Sequence, residues 1–358
     1  MGADNKNYGE EYHMKRIYIR VDGNEIIATG HIMRCLSIAE QLRKLGAEVI
    51  FLVADERPCT LIKAKGFRVD VLHTIWDNLS SETEILCDYI KKQEVEVLLL
   101  DTYYVTAEYL QNLSQYTKIV YIDDLAKFLY PVQALVHYWA FADADQYVNS
   151  YHLADRNVDF LIGGEYVPLR EEFAYQPYEV RPEVQNVLVT TGGTDRLNVA
   201  GNLLDCIEKD QQLRRLEYHV IVGCFNQNKN KLYQMAEQYS NIYLHENVNN
   251  MAEWMRKCDV AVSAAGTTVY ELCACGIPSV CLEIAQNQEG AVTWEREGYM
   301  FYAGNACKDM NQCMRRCVEA LLKLQDSYEI RKEKSRRMQS LVDGNGARRI
   351  AEYIDGMI

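Results

Sequence analysis

His31 is the residue best placed by type and context to do chemistry. It opens a helical pattern directly after the loop that follows the first strand-like segment, KRIYIRV. Doubly wound sheets put ligand-facing groups at that junction. The positive end of a helix dipole disfavours imidazolium, so a histidine there tends to be uncharged near pH 7 and able to take a proton. That is what a general base requires. Position alone leaves an ordinary capping or packing histidine as an equal alternative. The other histidines, His73, His137 and His219 among them, fall in strand or connecting segments and read as structural.

Two small-residue loops come next. In Thr191-Gly192-Gly193-Thr194-Asp195, between a strand and a helix, adjacent glycines allow positive φ and close backbone approach, so successive amides can converge on a phosphate. The loop has neither the P-loop lysine nor the GxGxxG spacing, and a tight turn is the simpler reading. In SAAGTTVYELCACGIPSVCLE, from Ser263 to Glu283, strand, loop and helix put the amides of Gly266, Thr267 and Thr268 at a positive helix end, where a diphosphate is stabilised. Glu271 lies one turn further on the same face, where a carboxylate can accept hydrogen bonds from a ribose diol. Asn287 and Gln288 follow the next strand on the same rim, with an ordinary surface loop as the alternative. Among the acids, Asp101 and the pair Asp123 and Asp124 end strands, which in a parallel sheet face the ligand crevice. Glu171 and Glu172 sit in a connecting stretch.

The elements that must position these groups are α/β throughout. Strand KRIYIRV, the helix carrying Ile32, Cys35, Leu36, Ala39, Leu42 and Leu45, a stop at Gly46 and strand AEVIFLVAD make a βαβ unit. VEVLLLD and KIVYIDD continue a series whose strands are apolar on both faces, as in a covered parallel sheet. A second series starts at NVLVTT and runs through EYHVIVG, NIYLH, DVAVSA and IPSVCLEI. The fold class is therefore two Rossmann-like doubly wound domains facing across a cleft. The expected division is a flexible extension over 1–14, an N-terminal domain over 15–165, a linker over 166–183, a C-terminal domain over 184–340 and a terminal helical stretch over 341–358.

With 51 acidic against 38 basic residues, a net charge of -13, nucleic acid and anionic membrane are unsuitable partners. No apolar run reaches the length of a membrane span. The 12 cysteines lie in apolar, patterned stretches without metal-ligand spacing, which reads as cytosolic thiols with no metal and no cofactor.

Taken together, GHIMRCLSIAEQL from Gly30, DTYY from Asp101, YIDDLA from Tyr121, LIGGEYVPLREEF from Leu161, VTTGGTD from Val189, VNNMAEWM from Val248 and SAAGTTVYEL followed by PSV and NQ resemble the UDP-2,4-diacetamido-2,4,6-trideoxy-β-L-altropyranose hydrolases of pseudaminic acid biosynthesis. The resemblance covers the chain from about Lys15 to DGNGARRI. It implies the GT-B fold, related to the peptidoglycan N-acetylglucosaminyltransferase, with a UDP-sugar substrate held mainly by the C-terminal domain. It also implies metal-independent, inverting hydrolysis in the cytoplasm. Residue by residue, it implies that His31 activates water and that Tyr103 lies near the sugar. Glu271 would bind the uridine ribose, and Asn287 and Gln288 would lie near the substrate. Gly30, Arg34, Asp101, Gly192, Gly193, Gly266, Thr267 and Thr268 complete the implied substrate contacts. Two positions depart from the pattern, Ala28 and Tyr104, where glycine is usual; each narrows the sugar pocket. A glycosyltransferase on the same fold and a non-catalytic nucleotide-sugar binding module remain the alternatives.

Overall fold

The computed structural model describes residues 15–27, 29–154 and 157–358, and of Asn287 only the backbone. The expected extension over 1–14 and the departure at Ala28 lie outside the described residues. The chain divides into two units. The first gathers the described residues within 1–138, 142–162 and 347–358; the second comprises 139–141 and 163–346.

Unit 1 alternates strand and helix: β1 (Arg16–Val21), α1 (Gly30–Lys44), β2 (Glu48–Val53), α2 (Cys59–Ala64), β3 (Arg68–Val71), α3 (Thr83–Gln93), β4 (Val97–Asp101), α4 (Ala107–Leu113), β5 (Lys118–Ile122), β6 (Ala134–His137), α5 (Ala144–Leu153) and β7 (Asp159–Ile162). Its seven strands pair in parallel in the order β3-β2-β1-β4-β5-β6-β7. β4 is buried along its whole length, as an apolar run between two helical layers must be. The α1 period seen in the sequence buries Ile32, Cys35, Leu36, Ala39 and Leu42. Its last turn carries Arg43 and Lys44 at the negative dipole end, and Gly46, at φ +92°, takes the left-handed conformation that ends it.

Unit 2 runs β8 (Asn186–Thr190), α6 (Val199–Ile207), β9 (Glu217–Ile221), α7 (Lys229–Gln238), β10 (Ile242–His245), α8 (Met251–Lys257), β11 (Val260–Ala264), α9 (Thr268–Cys275), β12 (Ser279–Glu283), α10 (Val292–Arg296), β13 (Phe301–Asn305), α11 (Met310–Asp326) and α12 (Tyr328–Leu341). Six parallel strands take the order β10-β9-β8-β11-β12-β13. Val187, Val189, Val262 and Leu282 from the sheet pack with Leu203, Leu204, Cys317 and Leu321 from the helices in one core. The last helix, α13 (Gly346–Asp355), leads back into unit 1. There Lys15 pairs with Asp355 at 2.9 Å, Lys118 donates to the Met357 carbonyl, and Tyr353 donates to Asp159 at 2.6 Å.

In both sheets the strand order reverses beside the first strand, so each has a switch point at its carboxyl edge, β1/β4 in unit 1 and β8/β11 in unit 2. That is where open α/β sheets receive ligands. Edge strand β7 is not among the strands read from the sequence; its four residues are too few to display a period. Among the described residues, no helix is long and apolar enough to cross a membrane.

Candidate active site

At the unit 1 switch point, Val21 is in register with Asp101, so the end of β4 stands beside the loop that launches α1. This juxtaposition brings residues seventy positions apart into contact. His31 Nδ1 lies 2.6 Å from Asp101 Oδ1, both side chains buried. Arg34, one turn along α1, donates from Nε to Asp101 Oδ2 at 2.7 Å and from Nη2 to Oδ1 at 2.5 Å. The same guanidinium reaches Asp124 at 2.8 and 3.1 Å and donates to the Tyr138 hydroxyl. Cys35 adds a thiol contact at 3.4 Å.

Burial by itself would raise the Asp101 carboxyl; Arg34 and then His31 outweigh it and hold the group well below the usual carboxylate range. An ionised carboxylate at 2.6 Å can only accept, so Nδ1 carries a proton, and in the uncharged imidazole the lone pair is then on Nε2. The structure thus supplies a fixed tautomer, which the helix position alone did not. The Tyr103 ring stands edge-on to His31 with centroids 4.4 Å apart. Burial, then the neighbouring Asp124 charge, pushes its phenol up to about 12, so it stays a protonated donor at neutral pH. Arg34, implied as a substrate contact, is engaged by Asp101, Asp124 and Tyr138 and works as a spacer between two carboxylates. A Cβ at Gly30 would meet open space, so sterics do not require glycine there.

In unit 2, Ser263 on β11 is in register with Thr190 on β8, which puts both small-residue loops at one edge. The first is a tight turn. Gly192 has φ +79°, the Gly193 carbonyl accepts from the Phe225 amide at 3.1 Å, and a Cβ on Gly223 would lie 2.3 Å from that carbonyl oxygen. Buried Asp195 takes the first amides of α6, Val199 at 2.7 Å and Ala200 at 3.2 Å. The Asp195 carboxylate therefore holds the first two amides of α6 itself.

The second loop differs. No side chain caps α9, whose start follows Gly266 and Thr267. Gln288 Nε2 would lie 3.5 Å from a Cβ on Gly266, and its Oε1 accepts from the Ile284 amide at 2.8 Å, which fixes the side chain against the loop. Buried Glu283 ties down the rest of that segment, accepting from the Ala291 amide at 3.2 Å and from Asn305 at 2.9 Å. The side chain of Asn287 lies outside the described residues. Glu271, mostly buried, is approached by Arg170 at 3.3 Å; Arg170 also pairs with Glu172 at 3.2 Å, and Glu172 accepts from the Met251 amide at 3.0 Å. Burial raises the Glu271 carboxyl, and Arg170 pulls it only part of the way back.

Sequence reasoning did not single out Tyr138 or Arg170. The first follows strand β6 directly, which was a usable signal. The second touches Glu271 only because the segment before β8 folds onto α8 and α9, and no local pattern announces that.

Residues 186–350 match the glycosyltransferase family 28 C-terminal domain. Over 278 residues the chain is 27% identical to the uncharacterized protein MJ1062 of Methanocaldococcus jannaschii, an overlap that takes in 75% of this chain and about half, 55%, of that protein. It is 26% identical over 290 residues to the UDP-2,4-diacetamido-2,4,6-trideoxy-beta-L-altropyranose hydrolase of Campylobacter jejuni, covering 79% of this chain and 97% of that one. Among solved structures, MurG of Acinetobacter baumannii superposes with a TM-score of 0.68 at 14% identity, over 96% of this chain and 99% of MurG. The resemblance read from the motifs is borne out, and the fold is GT-B.

Proposed function

We propose that the protein hydrolyses a UDP-linked diacetamido-trideoxy sugar to free sugar and UDP, by inverting attack of water at the anomeric carbon. The observation that carries the acid–base part is the His31–Asp101 pair. Asp101 fixes the proton on Nδ1, so Nε2 accepts one from water as it attacks, and Asp101 then stabilises the imidazolium that forms. Arg34 keeps Asp101 ionised for that purpose. Tyr103, its hydroxyl donating to Asp124, stands against the imidazole and keeps its oxygen lone pairs to accept from a sugar hydroxyl.

Unit 2 supplies the nucleotide subsite in this reading. The uncapped start of α9 meets the diphosphate with backbone amides and the positive dipole end, which stabilise charge developing on the leaving UDP. Glu271 accepts from the ribose diol, and Gln288 lines the same loop. Choosing water over a sugar acceptor rests on the hydrolase name of the Campylobacter relative, aligned over 97% of its length. A glycosyltransferase is the second reading, favoured by the family 28 match and by the MurG-like fold.

The test is to incubate the purified protein with UDP-sugars alone and measure UDP. Turnover without an acceptor supports the hydrolase. Idleness that an acceptor relieves would establish the transferase, and tight binding with no UDP release under either condition would leave a binding module.

A further inference from the structure

Unit 1 contains a buried ionic cluster that the proposed chemistry does not use. Arg20 on β1 donates to Glu82 at 3.0 and 2.8 Å and to Asp22 at 2.5 Å, while Tyr109 and Thr74 donate to Glu82, each at 2.7 Å. Arg20, Glu82 and Tyr109 are essentially inaccessible to solvent. Removing one partner from such a cluster is costly, so the segment it holds is fixed. That segment runs from Thr74 to Glu82. Its first residue also donates its amide to the Ala54 carbonyl at 3.0 Å, and the Asn78 amide closes a turn on the Ile75 carbonyl.

The turn presents Trp76 to Tyr104, with ring centroids 5.3 Å apart and planes at 88°. Trp76 follows β3 and Tyr104 follows β4, three strand positions away or about 14 Å at usual spacing. The segment therefore bridges the carboxyl ends of the strands between them, β2 and β1. Tyr104 adjoins Tyr103, whose ring meets His31. The bridge leaves an apolar surface at this rim: Ile75 is 55% exposed, Tyr104 38% and Tyr103 36%. Large aromatic surface held rigidly in water beside a candidate base is a recognition surface.

The geometry points to Trp76 and Tyr104 as the residues that select the sugar. They form a wall for apolar substituents, the methyls of N-acyl groups and a deoxygenated carbon, so that acylamido-deoxy sugars are preferred to plain hexoses. This rests on the reading of His31 as the group that faces the sugar. A hexose presents hydroxyls along such a wall and loses hydration there without a partner. Each buried methyl favours binding by about fourfold.

Affinities for UDP, UDP-glucose, UDP-N-acetylglucosamine and a UDP-2,4-diacetamido-2,4,6-trideoxyhexose, measured by calorimetry, test this without relying on turnover. The native protein should bind the last at least about tenfold more tightly than UDP-glucose, with UDP-N-acetylglucosamine between them. Trp76→Ala and Tyr104→Ala should each reduce that ratio several-fold and leave UDP affinity unchanged, while Trp76→Phe retains most of it. A ratio near one in the native protein, or one that both alanine variants leave intact, overturns the proposal. If the native protein discriminates in this way but releases no UDP, the hydrolase reading fails and the wall stands.

Discussion

Replacing Asp101 by Asn preserves shape and removes one charge, which isolates what the carboxylate does. The native oxygen accepts Nδ1–H from His31 at 2.6 Å. An amide there can turn its NH2 toward Nδ1, which moves the imidazole proton to Nε2 and takes away the lone pair that would receive the proton of water. A wrong tautomer in such a pair lowers kcat by about 10³- to 10⁴-fold. The change also costs stability, because Arg34 loses one of two carboxylates. With Asp124 still 2.8 Å from the guanidinium, about 3 kcal/mol is expected, the low end for breaking a buried pair. The sign with pH follows from the depressed Asp101 pKa. Its stabilising contribution is complete above the unfolded carboxyl value of about 3.9 and is lost as pH falls through the lower folded value. The gap between native and variant should therefore be full at pH 7 and narrow only below about pH 4. Steady-state UDP release, UDP titration and urea unfolding measure the three quantities. A kcat within tenfold of native would refute the tautomer role of Asp101.

His31→Asn should lower turnover by about 10²- to 10⁴-fold with UDP affinity retained, and in ¹⁸O-water the label should enter the released sugar rather than UDP. Glu271→Ala should weaken UDP by about 10- to 100-fold, the range for losing hydrogen bonds to a charged group. Because burial raises the Glu271 carboxyl, native UDP affinity should fade on acidification before an ordinary glutamate near 4.3 would titrate. Arg170→Gln, which removes the countering charge, should move that fade to higher pH. Chelation with EDTA should leave the rate unchanged. Gly344→Ala tests unit 2 alone: at φ +72° its Cβ would lie 1.9 Å from the Phe173 carbonyl oxygen, so a loss above about 2 kcal/mol and a Tm lower by about 5 °C are expected from calorimetry.

What the sequence displayed and what it hid differ by range. The α1 period, the glycine stop at 46 and the apolar strands are signals within a dozen residues, and each fixes a local element. His31 and Glu271 stood out because both lie in the first turn of a helix that follows a strand, a relation visible along the chain. Pairing of His31 with Asp101 depends instead on β1 and β4 being neighbours, which is a property of sheet order. Strand-end position raised Asp101 as a candidate but could not give it a partner. Asp195 was hidden for the opposite reason, being too local: its carboxylate accepts the amides of Val199 and Ala200, four and five residues on, through the turn of the residues between, and no periodic pattern announces such a turn. The motif resemblance supplied Arg34 as a substrate contact, and the fold engages its nitrogens with Asp101, Asp124 and Tyr138.

The return of α13 to the first unit has a temporal meaning. On the ribosome, the strands of unit 1 emerge before unit 2, but Lys15, Lys118 and Asp159 meet Asp355, Met357 and Tyr353 only after all of unit 2 has been made. Synthesis of the intervening stretch, residues 163–346, takes about 10 to 40 s at ordinary elongation rates. Throughout that interval the nascent first half lacks the helix that buries Ile350, Ala351 and Ile354, and it offers uncovered apolar surface to whatever is nearby. Chaperone dependence of this protein should accordingly be greatest during translation, and a refolded chain, which has α13 and unit 1 together from the start, escapes that delay.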